Sequence, residues 1–557
     1  MTRVYTLLSA LLPLTSIAAQ SSVSLERLAS GTWRATYHLS APTPALRFER
    51  PASFFRERVW TVVTPGYQLD RDGDRQVVRL ASGATPRREI VFEFPEYTAT
   101  LPKEYELFLP FTGGAVAVYT GHFYATPIVD DAAAAATLRT IDVTPPDGMK
   151  AVVRGRVVTG RVTFSDSIGD GTYIYLGNTA PIETPDVVAI VDPGMPSWLV
   201  RRFNDDLPRL FAAYRERFGY PLPWKPVVLF SFGDAASPGV SSGGGTLTGL
   251  VNMTFSGRDW MQQTPALTEQ AVALIAHESA HLWNGHLVEN VDQRAGSWMH
   301  EGSADALATE MLYALGVIDS ARYRVRREDA INQCATATAS GSVATAGSRN
   351  AIREIYDCGF VLTMWTAAAL HGANSTANAF TFWHDLIASA RANDSKYDQA
   401  RYFAVLARGH VPDSVIAGMK EFVAARDGMR IAIDGLRAAG VRVEEGSGVP
   451  PVSVRQQAAR MAMAHLMSQA CGRMSFNFGP SIKTSAVPGC EPFAAEHIVF
   501  AIDGHLVRDD GAAVYDAVHA ACAAARGVTL QREDGSTIVT VSCQRTLAPR
   551  PVWYVLK

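Results

Sequence analysis

Two hydrophobic periods succeed one another along the chain. From Ser21 to Thr184 apolar and polar residues alternate between turns rich in Gly, Pro and Asp, as in Trp33-Arg34-Ala35-Thr36-Tyr37-His38-Leu39 and in Val152 to Val158. A period of two is that of half-buried strands, so this stretch predicts a β-rich domain over 21–187. The alanine run Ala132 to Ala136 predicts a loop or short helix within it. Near Pro193 the period lengthens to that of a helix. Leu199, Phe203, Leu207, Leu210, Phe211 and Tyr214 fall on one stripe of a helix over 196–218. A strand over 226–232, a glycine-rich segment over 239–249 and a strand near 250–253 follow. Another helix opens at Thr264-Pro265, a capping residue followed by proline at the first helical position. Beyond 301 the pattern is largely helical, with segments near 302–315, 351–370, 377–392, 412–425 and 453–469. Ala335 to Ser348, rich in Ala, Thr, Ser and Gly, predicts a surface loop. From 471 onward the pattern changes again: a strand at His497 to Ile502, a helix over 512–526, and two strands around Asp534-Gly535.

The helix opened by Pro265 carries the most specific chemistry. Its residues Ala271 to Ala276 are nearly all apolar, which predicts burial, and they lead into His277-Glu278-Ser279-Ala280-His281. Residues four apart share a helix face, so both imidazoles can grip one metal ion. Glu278, one residue after the first ligand, can reach a metal-bound water without occupying a coordination position. Trp298-Met299-His300-Glu301-Gly302-Ser303-Ala304-Asp305 predicts the start of a second helix that brings in a carboxylate. Two histidines, one glutamate and one open position make the ligand set of a catalytic zinc, here a single ion on His277, His281 and Glu301. Asp305, four residues after Glu301, shares its face and is placed to accept the free N–H of a ligand histidine.

Composition narrows the setting. The formal net charge is −3 with no long basic run, which excludes nucleic acid as the expected partner. Met1-Thr2-Arg3, an apolar stretch from Tyr5 to Ile17 that includes Pro13, and the small pair Ala18-Ala19 form a signal peptide over 1–20. No later segment has the length of apolar chain a membrane span requires, so a secreted or periplasmic protein is expected. Six cysteines suit an oxidising compartment. They fall into sequence-local pairs, Cys334 with Cys358, Cys471 with Cys490 and Cys522 with Cys543, one of fifteen possible connectivities.

The motif neighbourhood resembles the gluzincin metallopeptidases. His277 to Val288 is similar to the H-E-x-x-H-x-W-F-G-N-x-V of aminopeptidase N, and the pair Trp283-Asn284 is closer to the glycyl aminopeptidases. Glu301-Gly302 matches the N-E-G of aminopeptidase N, with His300 in place of Asn. Nineteen residues separate His281 from Glu301, one more than in aminopeptidase N-like enzymes and the same as in thermolysin-like ones. Asp305 matches thermolysin's supporting aspartate; aminopeptidase N-like enzymes carry an acid further on, where this chain has Ala308. Ile355 to Leu362 resembles the Y-x-K-G-x-x-x-L segment of the aminopeptidases, with Cys358 replacing the lysine. The resemblance therefore gives Tyr356 the role of stabilising the oxyanion. The tail from 471 resembles the second half of a PDZ domain at its Ile502-Asp503-Gly504 turn.

What the resemblance implies is a multidomain α+β protein with a β-rich N-terminal domain, a thermolysin-like α/β then helical catalytic domain over 188–470, and a small PDZ-like α/β domain over 471–557. Its implied activity is zinc-dependent hydrolysis of peptide or protein substrates, with Glu278 as base. The substrate strand would include Gly249 and Asn252. One feature of the aminopeptidases is missing. The strand Thr248 to Thr254 lacks the glutamate that holds a substrate's free amine, and between Asp234 and Glu269 the sole acid is Asp259. Two alternatives follow: an aminopeptidase that recognises the amine through Asp259 or a C-terminal residue, and a non-catalytic peptide-binding protein with a vestigial zinc site.

Overall fold

A computed structural model describes residues 21–50, 55–97, 104–129, 132–133, 137–146, 148–292, 294–338, 341–349, 351–472 and 474–557. The signal-peptide segment and most of the Ala132 to Ala136 run lie outside the described residues. The chain forms two compact units, one of Met1–Pro208 with Pro223–Thr264 and one of Arg209–Leu222 with Pro265–Lys557.

In the first unit the period of two becomes strand. Along Trp33–Thr43, residues Trp33, Ala35, Tyr37 and Leu39 are buried while Arg34, Thr36 and His38 are not. This strand is central in a six-stranded sheet, between Ser22–Arg27 and Arg87–Phe94. Two five-stranded sheets complete the β-rich region, and the inward residues meet in one aromatic core. There Trp60 stacks on Phe94 at 4.4 Å and on Phe123 at 5.6 Å, arrangements that add to the area they bury.

A further five-stranded sheet is mixed. Val188–Val191, Val227–Gly233 and Leu250–Ser256 run parallel, and Ile182–Glu183 and Ser241–Leu247 flank them antiparallel. Its central strands are almost continuously buried, as expected when both faces are covered. The glycine-rich segment is thus the edge strand of this sheet. The helix Ser197–Phe218 makes the crossover between the first two parallel strands, and Phe203 stacks on Phe230 at 4.1 Å.

The second unit is mainly helical, with a small α/β tail. The helix Ser320–Thr338 runs into the segment that composition marked as a surface loop, because Cys334, Ala335 and Thr338 face inward. All three sequence-local disulfides form: Cys334–Cys358, Cys471–Cys490 and Cys522–Cys543. In the tail, Ala501–Ile502 and His505–Leu506 pair across a two-residue turn. Both of its residues, Asp503 and Gly504, have positive φ, as an Asp-Gly hairpin requires. The helix Val452–Cys471 packs along the tail helix Gly511–Ala523, burying Met463, Leu466 and Met467 against Val514 and Val518. The terminal strand Tyr554–Leu556 pairs with Val443–Glu445 and is held by Asn332, whose side chain bonds the Tyr554 backbone in both directions at 2.7 and 3.0 Å. Among the described residues no helix is long and apolar enough to cross a membrane.

Candidate metal centre

The motif helix spans Pro265–His281, and its C-terminal end is buried from Ile275 onward. The tyrosine hydroxyl of Tyr214 caps the Ala276 carbonyl at 2.7 Å, so the helix is anchored just before the motif. After His281 the chain widens to π-helical turns over Leu282–Leu287. Trp283 stacks there on Phe218 at 5.3 Å and donates its indole N–H to the Tyr220 carbonyl. Glu301 sits in a second π-helical stretch, Trp298–Gly302, and Tyr356 in a third, Glu354–Cys358. Such widened turns re-aim side chains that regular helix spacing would send elsewhere. The second and third stretches touch through glycine: a Cβ on Gly302 would lie 2.3 Å from the Gly359 Cα.

The side chains converge. His277 Nε2 and His281 Nε2 are 3.0 Å apart, and each lies 3.3 Å from Glu301 Oε2. Both imidazoles are almost fully buried, and Glu301 Oε2 is buried without a hydrogen bond. Their outer nitrogens are engaged. His277 Nδ1 donates to Asp305 Oδ1 at 2.8 Å, and His281 Nδ1 donates to Asn284 Oδ1 at 3.0 Å. The Asn284 amide is oriented by its other end, which donates to the His300 carbonyl at 2.9 Å. With both Nδ1 atoms protonated, the two Nε2 atoms present lone pairs to each other and to a carboxylate oxygen. Three acceptors so placed repel unless a cation lies among them. Ligands about 2.0–2.1 Å from a tetrahedral zinc are ~3.3 Å from one another, which the observed spacings match. The donor set thus fits zinc, and among the described residues it is the one group of three metal-binding side chains that converges in this way.

Electrostatics agree with that geometry. Burial alone would lower the His277 pKa, but its contacts with the Asp305 and Glu301 carboxylates outweigh it and raise it to about 10, so a proton takes the place among these groups until a metal cation displaces it and frees the Nε2 lone pair. Burial opposes ionisation of Glu301, yet the neighbouring His281 and His277 hold its carboxyl well below the usual range. The site is therefore one that binds positive charge strongly. His300, stacked on His281 with ring centroids 3.9 Å apart, is instead pushed down to about 3, chiefly by burial. Tyr356 stacks on His277 at 5.6 Å, and burial with the Glu301 charge drives its hydroxyl far above its ordinary value, leaving it a protonated donor. Glu278 is buried, and its charge acts on both His277 and Tyr356.

His277, Glu278, His281, Glu301, Asp305 and Tyr356 are thereby brought together in the second unit. Gly249 and Asn252 belong to the first. Gly249 turns the hairpin between Ser241–Leu247 and Leu250–Ser256 with φ +75°, and Asn252 is a buried residue of the inner strand. Asp259 is exposed on a short 3-10 turn. Asn284 and His300 enter the sequence reading only within the family resemblance, with no role given to either. Their signal is a polar residue one turn after His281 and a histidine beside Glu301.

No protein-family model and no curated protein matches the chain. Solved structures do. An M1 zinc metallopeptidase from Deinococcus radiodurans is 15% identical and covers 73% of this chain and 92% of its own, with a TM-score of 0.42. An aminopeptidase N family protein from Idiomarina loihiensis, 10% identical, covers 96% of this chain and 98% of its own at a TM-score of 0.63. Over nearly its whole length, then, the chain has the multidomain α+β fold of an aminopeptidase N family protein, with its β-rich N-terminal part and its helical C-terminal region.

Proposed function

We propose that this protein is an exported zinc peptidase that hydrolyses peptide bonds. The observation that carries the reading is the convergence of three lone-pair donors, His277 Nε2, His281 Nε2 and Glu301 Oε2, beside the buried carboxylate Glu278. Those three residues would hold one zinc ion, which supplies a Lewis acid for the scissile carbonyl and a means of acidifying water. Glu278 takes the proton of the attacking water and returns it to the leaving amine nitrogen. Tyr356, kept protonated by its surroundings, donates a hydrogen bond to the carbonyl oxygen as negative charge grows there. Asp305 and Asn284 hold the Nδ1–H tautomer of the two histidines, so that Nε2 is the basic atom of each ring. The neighbouring fold supports the same chemistry.

Export is the reading of the 1–20 segment, supported by three disulfides. The tail over 471–557 is proposed as PDZ-like, on its Asp503-Gly504 hairpin followed by the helix Gly511–Ala523. Mass-spectrometric mapping of products from a mixed peptide library, with zinc-loaded wild type beside Glu278→Gln, tests the function. Cuts that depend on Glu278 support a peptidase. A full zinc complement with no cuts would favour the binding protein.

A further inference from the structure

Tyr356 can serve as an oxyanion donor only while its turn is held against the metal ligands, and the contacts of that turn are of unequal strength. The turn Glu354–Cys358 leads into the helix Gly359–Ala373 and meets the Glu301 turn backbone to backbone: a Cβ on Gly359 would lie 2.2 Å from the Trp298 carbonyl oxygen. Glycine contacts bring two backbones close but provide no side chain to fix their register. On the N-terminal side the buried Glu354 accepts from Arg349, five residues earlier, while Ile352 and Arg353 are exposed. The Ser303 and Thr363 hydroxyls bond at 2.9 Å, which steadies the following helix a turn beyond its start.

A further attachment is covalent. Cys358, two residues after Tyr356, is bonded to Cys334 in the helix Ser320–Thr338, and both cysteines are fully buried. That helix is itself tied to both helices of the metal centre. Arg322 and Arg326 reach Glu269 on the motif helix at 2.8 and 2.9 Å. Burial opposes ionisation of Glu269, yet the two guanidinium partners hold its carboxyl below the usual range. Arg326 also donates to the Thr309 hydroxyl at 3.1 Å, and Tyr323 donates its hydroxyl to Glu310, both on the helix that carries Asp305. The disulfide thus closes a frame that refers Tyr356 and the His277 ring it stacks on to the same helices.

We propose that Cys334 and Cys358 are positioning residues for the reaction: their disulfide fixes the widened turn so that Tyr356 faces the metal ligands. A disulfide permits a narrow range of separations and torsions, so it fixes a turn more tightly than a hydrogen bond between flexible side chains does. The inference rests on the oxyanion role given to Tyr356 and adds the source of that tyrosine's placement.

The test removes the bridge from the full-length, zinc-loaded chain as Cys334→Ala with Cys358→Ala, alone and together with Tyr356→Phe. Cys334→Val with Cys358→Ala refills the space and serves where the alanine pair does not fold. Kinetics are read on a peptide whose cut depends on Glu278. Loss of the bridge should lower kcat by roughly 10- to 100-fold, as a small misplacement of a reacting group does, with KM within about twofold and zinc still bound. In the Tyr356→Phe background the same change should lower kcat by no more than about twofold, since the group it positions is gone. Cys522→Ala with Cys543→Ala, which opens a disulfide in the core of the tail, should lower the melting temperature alone. Backbone amide exchange, which needs no turnover, should quicken by about tenfold or more over 351–362 and stay unchanged over 265–281. An unchanged kcat, an equal loss of kcat with and without the Tyr356 hydroxyl, a loss of zinc, or unchanged exchange over 351–362 would each overturn the proposal. If wild type makes no Glu278-dependent cut, the peptidase reading falls and the exchange alone decides this one.

Discussion

Replacing Asn284 with alanine probes the metal centre through a residue that touches no metal. Asn284 is fully buried and ties two segments: its Oδ1 accepts from His281 Nδ1, and its Nδ2 donates to the carbonyl of His300, next to Glu301. Its own carbonyl accepts from the Tyr397 hydroxyl at 2.7 Å, which a side-chain change leaves in place. Alanine would strand one N–H and one C=O in the interior, each costing about 1–3 kcal/mol. Part of that cost falls on the fold with or without metal. The part that falls on zinc comes from His281, whose ring is then free to rotate or to place its proton on Nε2, the atom the metal needs. Loss of such a support lowers metal affinity by roughly 10–100-fold. Competition with a chromogenic chelator reads that shift directly. Asn284→Asp separates the two effects. It keeps an acceptor for His281 Nδ1 and removes the donor to His300, so zinc affinity should stay near wild type while thermal stability falls. An alanine variant that binds zinc within about twofold of wild type, or alanine and aspartate variants that lose zinc equally, would refute the tautomer argument.

Other consequences follow from the same geometry. Tyr356→Phe should lower kcat by roughly 100- to 1,000-fold with zinc content unchanged, as loss of one oxyanion donor does, and a change confined to KM would contradict the assigned role. Gly302→Ala sets a methyl 2.3 Å from the Gly359 Cα, where backbone leaves no room, so it should cost at least about 1–3 kcal/mol and reduce zinc content; normal melting and metal content would refute the contact. Burial raises the Asp357 carboxyl to about 7, with Arg353 only partly opposing it. The folded protein then holds a proton that the unfolded chain releases near pH ~4, so stability declines as pH rises from about 4 to 7 and levels off beyond, by at most about 4 kcal/mol. Asp357→Asn should flatten that slope in melts taken across the window, and an unchanged slope would count against a buried neutral acid.

The legible parts of the sequence are those set by local geometry. His277 and His281 meet because residues four apart share a helix face, and Asp305 reaches His277 through the same rule applied to the helix after Glu301. Trp33 to Leu39 alternates in the sheet as it does in the sequence, and Asp503-Gly504 turns a hairpin because that pair tolerates positive φ. Other features depend on partners distant in the chain. The widened turns over Leu282–Leu287, Trp298–Gly302 and Glu354–Cys358 arise from packing, which helix periodicity does not encode. Asn284 gains its meaning only when the Glu301 segment folds beside it. The glycine-rich composition of 239–249 carries no strand signal, yet Ser241–Leu247 within it pairs residue by residue with Leu250–Ser256 as an edge strand. The helix through Thr338 overrides a loop-like composition because Cys334 and Thr338 face the core.

The central claim is that His277, His281 and Glu301 hold a zinc ion for which Glu278 serves as base. Peptide hydrolysis measured on metal-stripped protein, during stepwise return of zinc, beside Glu278→Gln carried through the same titration, tests it most directly. Activity should appear in wild type in proportion to zinc and saturate at one equivalent. Glu278→Gln should take up the same equivalent and stay inactive by several orders of magnitude. Turnover that persists without zinc, or a zinc-loaded Glu278→Gln as active as wild type, would contradict the account.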